Sequence, residues 1–189
     1  MADIKKGSEI DIMGPLGRGY DVLSLKKGQT ALLVGGGIGV PPLYELAKQF
    51  NQRGIKTIAI LGFNTKDEVF YEEEFKKFGE TYVSTVDGSV GTKGFVTDVI
   101  KKLQAENNLV FDKYYSCGPV PMLKALISTV GEDGYVSLEN RMACGIGACY
   151  ACVCKKKKKD IIAYDEKKVE YTRVCYDGPV YLASDVEIE

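Results

Sequence analysis

The chain has 189 residues, 45% of them hydrophobic and 27% charged, with a formal net charge of -1. That balance suits a soluble protein of one large domain, or one domain with a small appendage, and offers no surplus of positive charge for nucleic acid. No apolar run reaches the roughly 18 residues of a membrane span, and no secretory core follows Met1. The six cysteines cluster, where a disulfide framework would spread them, so a cytoplasmic protein is expected.

Residues 3–12 hold a short extended segment, Glu9-Ile10-Asp11-Ile12, and Met13-Gly14-Pro15-Leu16-Gly17-Arg18-Gly19 follows as turns. One or two strands cannot bury both faces of a sheet, so residues 1–28 read as the end of something larger or as a strap on the main domain. From Gln29 onward, strand and helix patterns alternate. Strands are expected over 31–34, 56–61, 81–85 and ending at 113–116, with helices over 42–50, 68–78, 95–104 and 121–130. The period predicts an α/β domain over 29–138, a doubly wound parallel sheet buried on both faces. After Arg141 the period stops and glycine and cysteine density rises, marking a smaller module over 139–189. Within it, Lys155 to Lys159 reads as a solvated tip, and residues 161–164 and 168–172 as a short hairpin.

Gly35-Gly36-Gly37-Ile38-Gly39-Val40-Pro41-Pro42 directly follows the first buried strand and opens a helix. Glycines there let a pyrophosphate approach the backbone, and the amides of the helix start attract its charge. The phase is not G-x-G-x-x-G and no lysine follows, so the segment is either a phosphate loop of another type or a tight turn; a P-loop is excluded. Val34 and Val40 read as packing residues. No acid stands at the end of the second strand, where Leu61-Gly62-Phe63-Asn64 leaves Asn64 for a ribose hydroxyl and Lys66 for a 2′-phosphate. NAD and NADP therefore both stay open. Asp87, in Asp87-Gly88-Ser89, either lines the adenosine side or makes an ordinary Asp-Gly turn. Cys117-Gly118-Pro119 ends the fourth strand on the same edge, with Gly118 permitting close approach and Cys117 reading as a wall of a nicotinamide pocket. The chain has no histidine, which rules out Cys-His and Ser-His-Asp catalysis, and no catalytic residue is assigned.

Cys144, Cys149 and Cys152 are spaced C-x4-C-x2-C, with Cys175 at a distance, the plant-type pattern of a [2Fe-2S] cluster. Gly145 and Gly147 permit the loop to curl round a metal centre with its amides turned inward. A structural zinc site also takes four cysteines, but usually as two C-x2-4-C pairs, and a metal-free set of thiols is the third reading. Cys154 alternates with Cys152 and reads as a bystander.

Met13-Gly14-Pro15-Leu16-Gly17, the glycine loop, Cys117-Gly118-Pro119 and Arg141-Met142-Ala143-Cys144-Gly145-Ile146-Gly147-Ala148-Cys149 together resemble the electron-transfer subunits of the NAD-dependent dihydroorotate dehydrogenases, a family of the ferredoxin-NADP reductase superfamily. The resemblance runs from about residue 4 to 183, and the cysteine segment is its most specific part. It implies an FAD-binding β-barrel, a pyridine-nucleotide domain and a C-terminal cluster module. By resemblance Gly35, Gly36, Gly37, Gly39, Cys117 and Gly118 hold NAD(H), and Cys144, Cys149, Cys152 and Cys175 ligate the cluster. Gly14 and Gly17 lie beside FAD, on the barrel's last strand and loop. The implied partner is an FMN-containing catalytic subunit that oxidises dihydroorotate, in a heterotetramer serving pyrimidine biosynthesis. The usual barrel with its Arg-Pro-x-Ser flavin segment is missing before Ala2, so the chain is expected to be a fragment or to bind FAD weakly. The Cys152–Cys175 interval is also enlarged, which costs little in closure entropy. The alternatives are a reductase subunit of a sulfide or ferredoxin-NADP complex, and a zinc-stabilised nucleotide-binding module.

Overall fold

The computed structural model describes residues 4–157 and 170–188. Its centre is a seven-stranded sheet of β1 (Thr30–Gly36), β2 (Lys56–Phe63), β3 (Gly79–Thr85), β4 (Thr92–Lys93), β5 (Lys113–Cys117), β6 (Gly134–Ser137) and β9 (Val180–Leu182), in the order β4-β3-β2-β1-β5-β6-β9. All neighbouring pairs are parallel except β6 with β9. A parallel pair needs a crossover, and α1 (Val40–Gln52), α2 (Glu72–Lys76), α3 (Val96–Ala105) and α4 (Val120–Val130) lie on these connections.

Alternation along the strands divides the core. Leu32 and Val34 of β1, with Ile58 and Ile60 of β2, face α3 and α4, where Val96, Ile100, Leu123 and Leu126 cover them. Ala31 and Leu33, with Ala59 and Leu61, face α1, whose Val40, Leu43, Leu46, Ala47 and Phe50 recur at helical spacing. The sheet is thus doubly wound, and each fully buried Leu or Ile contributes about 1.5–3 kcal/mol. Val34 and Val40 are completely buried, as packing residues should be.

The helix expected over 68–78 is broken. Lys66–Glu68 forms a single 3-10 turn, Tyr71 takes a left-handed φ of 65°, and only Glu72–Lys76 is helical. Packing outweighs the propensity of the Glu/Lys run here: Phe70 meets Phe63 at 5.2 Å between ring centres, and Tyr71 stacks on Tyr44 at 5.0 Å. Residues 9–12 form no strand, and residues 4–19 are exposed throughout. The strap is secured further on, where Arg18 bridges to Pro179 and Leu25 enters the core beside Tyr20 and Val22.

The C-terminal residues do not stand apart. β7 (Val153–Lys155) pairs antiparallel with β8 (Tyr171–Arg173), while β9 completes the main sheet. Cys152, Val174, Cys175, Ala183 and Val186 share one core with Val136, Leu138 and Leu123. The solvated lysine tip is corrected in part: Lys157 binds the Glu132 carboxylate and the Ala183 carbonyl, each at 2.8 Å. Residues 158–169, with most of the expected hairpin, lie outside the described residues; Tyr171 and Thr172 pair with β7.

Candidate functional site

The strand order reverses beside β1, since β2 and β3 extend to one side and β5 and β6 to the other. Doubly wound sheets bind ligands at the carboxyl ends of the strands beside such a switch point. A cavity of about 380 Å³ opens at this edge, between β1, β2 and β3 and the first turns of α3 and α4. A wider hollow of about 510 Å³ lies at the opposite edge, around Thr30, Lys56 and Gly79, away from the glycine loop.

The register builds the floor of the cavity. Gly36 pairs with Gly62, and Gly62 with Ser84, so three neighbouring strands present two missing side chains and one hydroxyl. A Cβ on Gly36 would press on Met122 Sδ at 2.6 Å, and one on Gly62 on Val96 Cγ1 at 2.7 Å. Phe63, Phe95, Pro119, Pro121 and Met122 give the walls an apolar surface suited to a planar ring. Ser84 Oγ is fully buried, lines the cavity and has no hydrogen-bond partner among the described residues. Such a group in a native fold calls for an explanation, and a bound polar ligand supplies one.

Of the glycine loop, Gly36 and Gly37 line the cavity. Gly37 has a φ of 51° and open space where a side chain would be, leaving its backbone accessible. Gly35 packs on Val40 and Leu43, and Gly39 sits on the backbone carbonyl of Cys117, so both serve loop packing. Gly118 lies against Met122 and the Gly36 amide. The two loops expected to hold one ligand therefore touch each other. Cys117 is half-buried beside Tyr20, whose hydroxyl donates to the Ser116 carbonyl at 2.9 Å; burial pushes the Cys117 thiol up, keeping it neutral.

Two residues stand elsewhere than expected. Val86 lines the cavity and Asp87 does not; the Asp87 carboxylate accepts from the Ser89 amide and hydroxyl at 2.9 and 2.6 Å, which lowers its pKa. The acid absent from the end of β2 arrives from further along: Glu68 lines the cavity and accepts from Asn64 Nδ2 at 2.9 Å. Lys66 is not part of the lining. Ser84, Glu68 and the aromatic walls carry no motif, since a β-register and a 3-10 turn bring them together.

Met13–Gly19 forms no enclosed cradle. Gly14 has open space around it, Met13 and Leu16 are exposed, and Gly17 is needed because its Cα lies against the Gly178 carbonyl. These residues by themselves do not fit a flavin site.

The cysteine loop curls as its glycines predict, with φ of 71° at Gly145, 81° at Gly147 and 57° at Tyr150. The curl aims the amides of Cys149, Ile146 and Ala148 at Cys144 Sγ, the first at 3.4 Å. Donated hydrogen bonds favour a thiolate, and the Cys144 pKa falls to about 6. Cys175 follows β8 in a turn, and its amide donates to Cys152 Sγ at 3.4 Å. Its thiol is raised, chiefly by its hydrogen bond with Cys152 and then by burial. No disulfide forms among the described residues, and no three acidic or cysteine side chains there gather round one point as a single ion requires. The four cysteines stand as two pairs, Cys144 with Cys149 and Cys152 with Cys175, in one loop system. Two irons sharing four thiolates divide them this way, and inward amides suit the cluster's negative charge, so the donor set fits a [2Fe-2S] cluster. Cys154 packs from β7 against the core.

The family profile described as oxidoreductase NAD-binding domain matches residues 33–127, and that of the iron-sulfur cluster binding domain of dihydroorotate dehydrogenase B matches residues 139–187. Fold and matches together define a nicotinamide-nucleotide and iron-sulfur redox protein. Dihydroorotate dehydrogenase B (NAD(+)), electron transfer subunit, of Fusobacterium nucleatum is 87% identical over 189 residues, covering 100% of this chain and 70% of that protein. Its counterpart from Lysinibacillus sphaericus is 57% identical over 182 residues, covering 96% and 66%. The chain belongs to the family of dihydroorotate dehydrogenase B electron-transfer subunits. It spans about two thirds of the length of these curated relatives. Among solved structures, the NADH-dependent reduced ferredoxin-NADP oxidoreductase is similar at a TM-score of 0.78 and 31% identity, over 95% of this chain and 60% of that one.

Proposed function

We propose that this chain is the redox subunit of a larger complex, carrying electrons from dihydroorotate oxidation on an FMN-containing partner to NAD in pyrimidine biosynthesis. The observation that carries the reading is the presence in one fold of a switch-point cavity and a loop system with two cysteine pairs. A two-iron cluster, when bound, takes up and gives out single electrons. The chain's part is to hold Cys144 as a thiolate with inward amides, and to keep Cys152 and Cys175 buried.

In the cavity the backbone of half-buried Gly37, beside buried Gly36, meets the pyrophosphate, the apolar walls take a planar ring, and Ser84 Oγ bonds a polar group. The Glu68 carboxylate favours NAD over NADP, because a 2′-phosphate would add charge beside it. Gly39 and Gly118 act by holding the two loops together and Gly35 by packing on Val40 and Leu43, while Cys117 supports the nicotinamide end from outside the cavity lining. We assign residues 1–28 to the remnant of an FAD-binding β-barrel, 29–138 to the NAD domain and 139–189 to the cluster module, with β9 shared between the last two. A heterotetramer, FAD between cluster and NAD, and a cytoplasmic location complete the reading. No described helix is long and apolar enough to cross a membrane. The similarity to the ferredoxin-NADP oxidoreductase favours a second reading, a reductase subunit of that kind of complex.

The test is to purify the complex through a tag on this chain and add dihydroorotate and NAD under anaerobic conditions. Formation of NADH in step with orotate is expected. A complex that reduces NAD with ferredoxin and not with dihydroorotate would replace the first reading by the second.

A further inference from the structure

Arg173 ends β8, two residues before Cys175, and its side chain reaches both cysteine-bearing segments. Nη1 donates to the Gly147 carbonyl at 3.0 Å, in the middle of the loop between Cys144 and Cys149. Nε and Nη2 donate to the Asp177 carboxylate at 3.0 and 3.2 Å, just past Cys175, and the Arg173 amide donates to the same carboxylate at 3.0 Å. The guanidinium also lies over the rings of Tyr176 and Tyr150, at 4.6 and 5.4 Å from their centres. Tyr150 directly follows Cys149, and Tyr176 directly follows Cys175. The segments are in close contact at this point, since a Cβ on Gly147 would meet Tyr176 Cβ at 2.9 Å and Arg173 Nη1 at 3.3 Å.

An exposed ion pair contributes little, and Arg173 with Asp177 alone would be unremarkable. The geometry differs because one planar group ties the Cys144–Cys149 loop to the Cys175 turn through a carbonyl, a carboxylate and two rings. We propose that Arg173 is a positioning residue that clamps the two cysteine pairs together and fixes the spacing of the four sulfurs, an inference that rests on the cluster reading above. Lysine cannot substitute, having neither the planar fork nor the flat face for stacking.

The test uses the complex carrying Arg173→Lys or Tyr176→Leu in this chain, with NADH binding as the control for an intact fold. Iron, sulfide, the rate at which a chelator bleaches the visible spectrum, and the EPR line shape after reduction are measured. Loss of the groups that orient metal ligands typically weakens metal binding about 10- to 100-fold. Arg173→Lys is therefore expected to bleach at least about tenfold faster, with a broadened EPR signal and unchanged NADH binding. Tyr176→Leu, which removes one ring and leaves the hydrogen bonds, should fall between it and wild type. If Arg173→Lys is too unstable to purify, Tyr176→Leu decides alone. Bleaching at the wild-type rate and an unchanged line shape overturn the clamp and leave the cluster reading standing. A wild-type complex without iron and sulfide in this chain overturns both.

Discussion

Ser84 is the residue that most directly links stability to the cavity. Its hydroxyl is fully buried and unpaired among the described residues, an arrangement that costs stability, and a ligand that bonds it removes that cost. Ser84→Ala should therefore raise the melting temperature by roughly 2–4 °C and weaken NADH binding roughly two- to tenfold. Thermal melts and calorimetric titration check the pair of effects. A lower melting temperature with unchanged NADH affinity would show that the hydroxyl serves the fold instead. At the other site, Cys149 is exposed and stands outside the buried core of the described residues, so Cys149→Ser should leave the fold intact and abolish the cluster. Retention of iron, sulfide and the reduced EPR signal in that variant would remove Cys149 from the ligand set.

Among the elements, the two loops at the switch point depend on each other. Gly39 lies so close to the Cys117 carbonyl that any Cβ must part the β1–α1 and β5–α4 connections. Gly39→Ala should destabilise the chain by about 1–3 kcal/mol and weaken NADH binding together, as judged by denaturant melts and titration. An unaffected variant would mean that the loops can separate without cost to the site. How much of this was legible in the sequence varies by element. The parallel strands were legible because burial on both faces turns them into short apolar runs, and α1, α3 and α4 because their apolar residues recur at helical spacing. The helix over 68–78 was misread because the stacking of Tyr71 on Tyr44 joins residues far apart in sequence. The cysteine spacing named its own chemistry. The cavity floor did not, since Gly36, Gly62 and Ser84 become neighbours only through register. Arg173 carries no motif, because its partner Gly147 lies 26 residues earlier in the chain and meets it only through the fold.

For the whole molecule, the cluster module and the nucleotide domain share one core and one sheet, through Cys152, Cys175 and β9. The two sites are thereby held by a single packed body. The strap differs, because Gly14 stands in open space and Ile10, Ile12, Met13 and Leu16 are exposed. This polypeptide alone should accordingly bind FAD weakly, and equilibrium dialysis that found tight stoichiometric FAD would contradict that. Whether the paired cysteines hold a cluster is decided by counting iron and acid-labile sulfide per chain and recording the EPR spectrum after reduction. Two of each and a rhombic signal from one unpaired electron are expected. A single zinc ion per chain, or four thiols without metal, would contradict this.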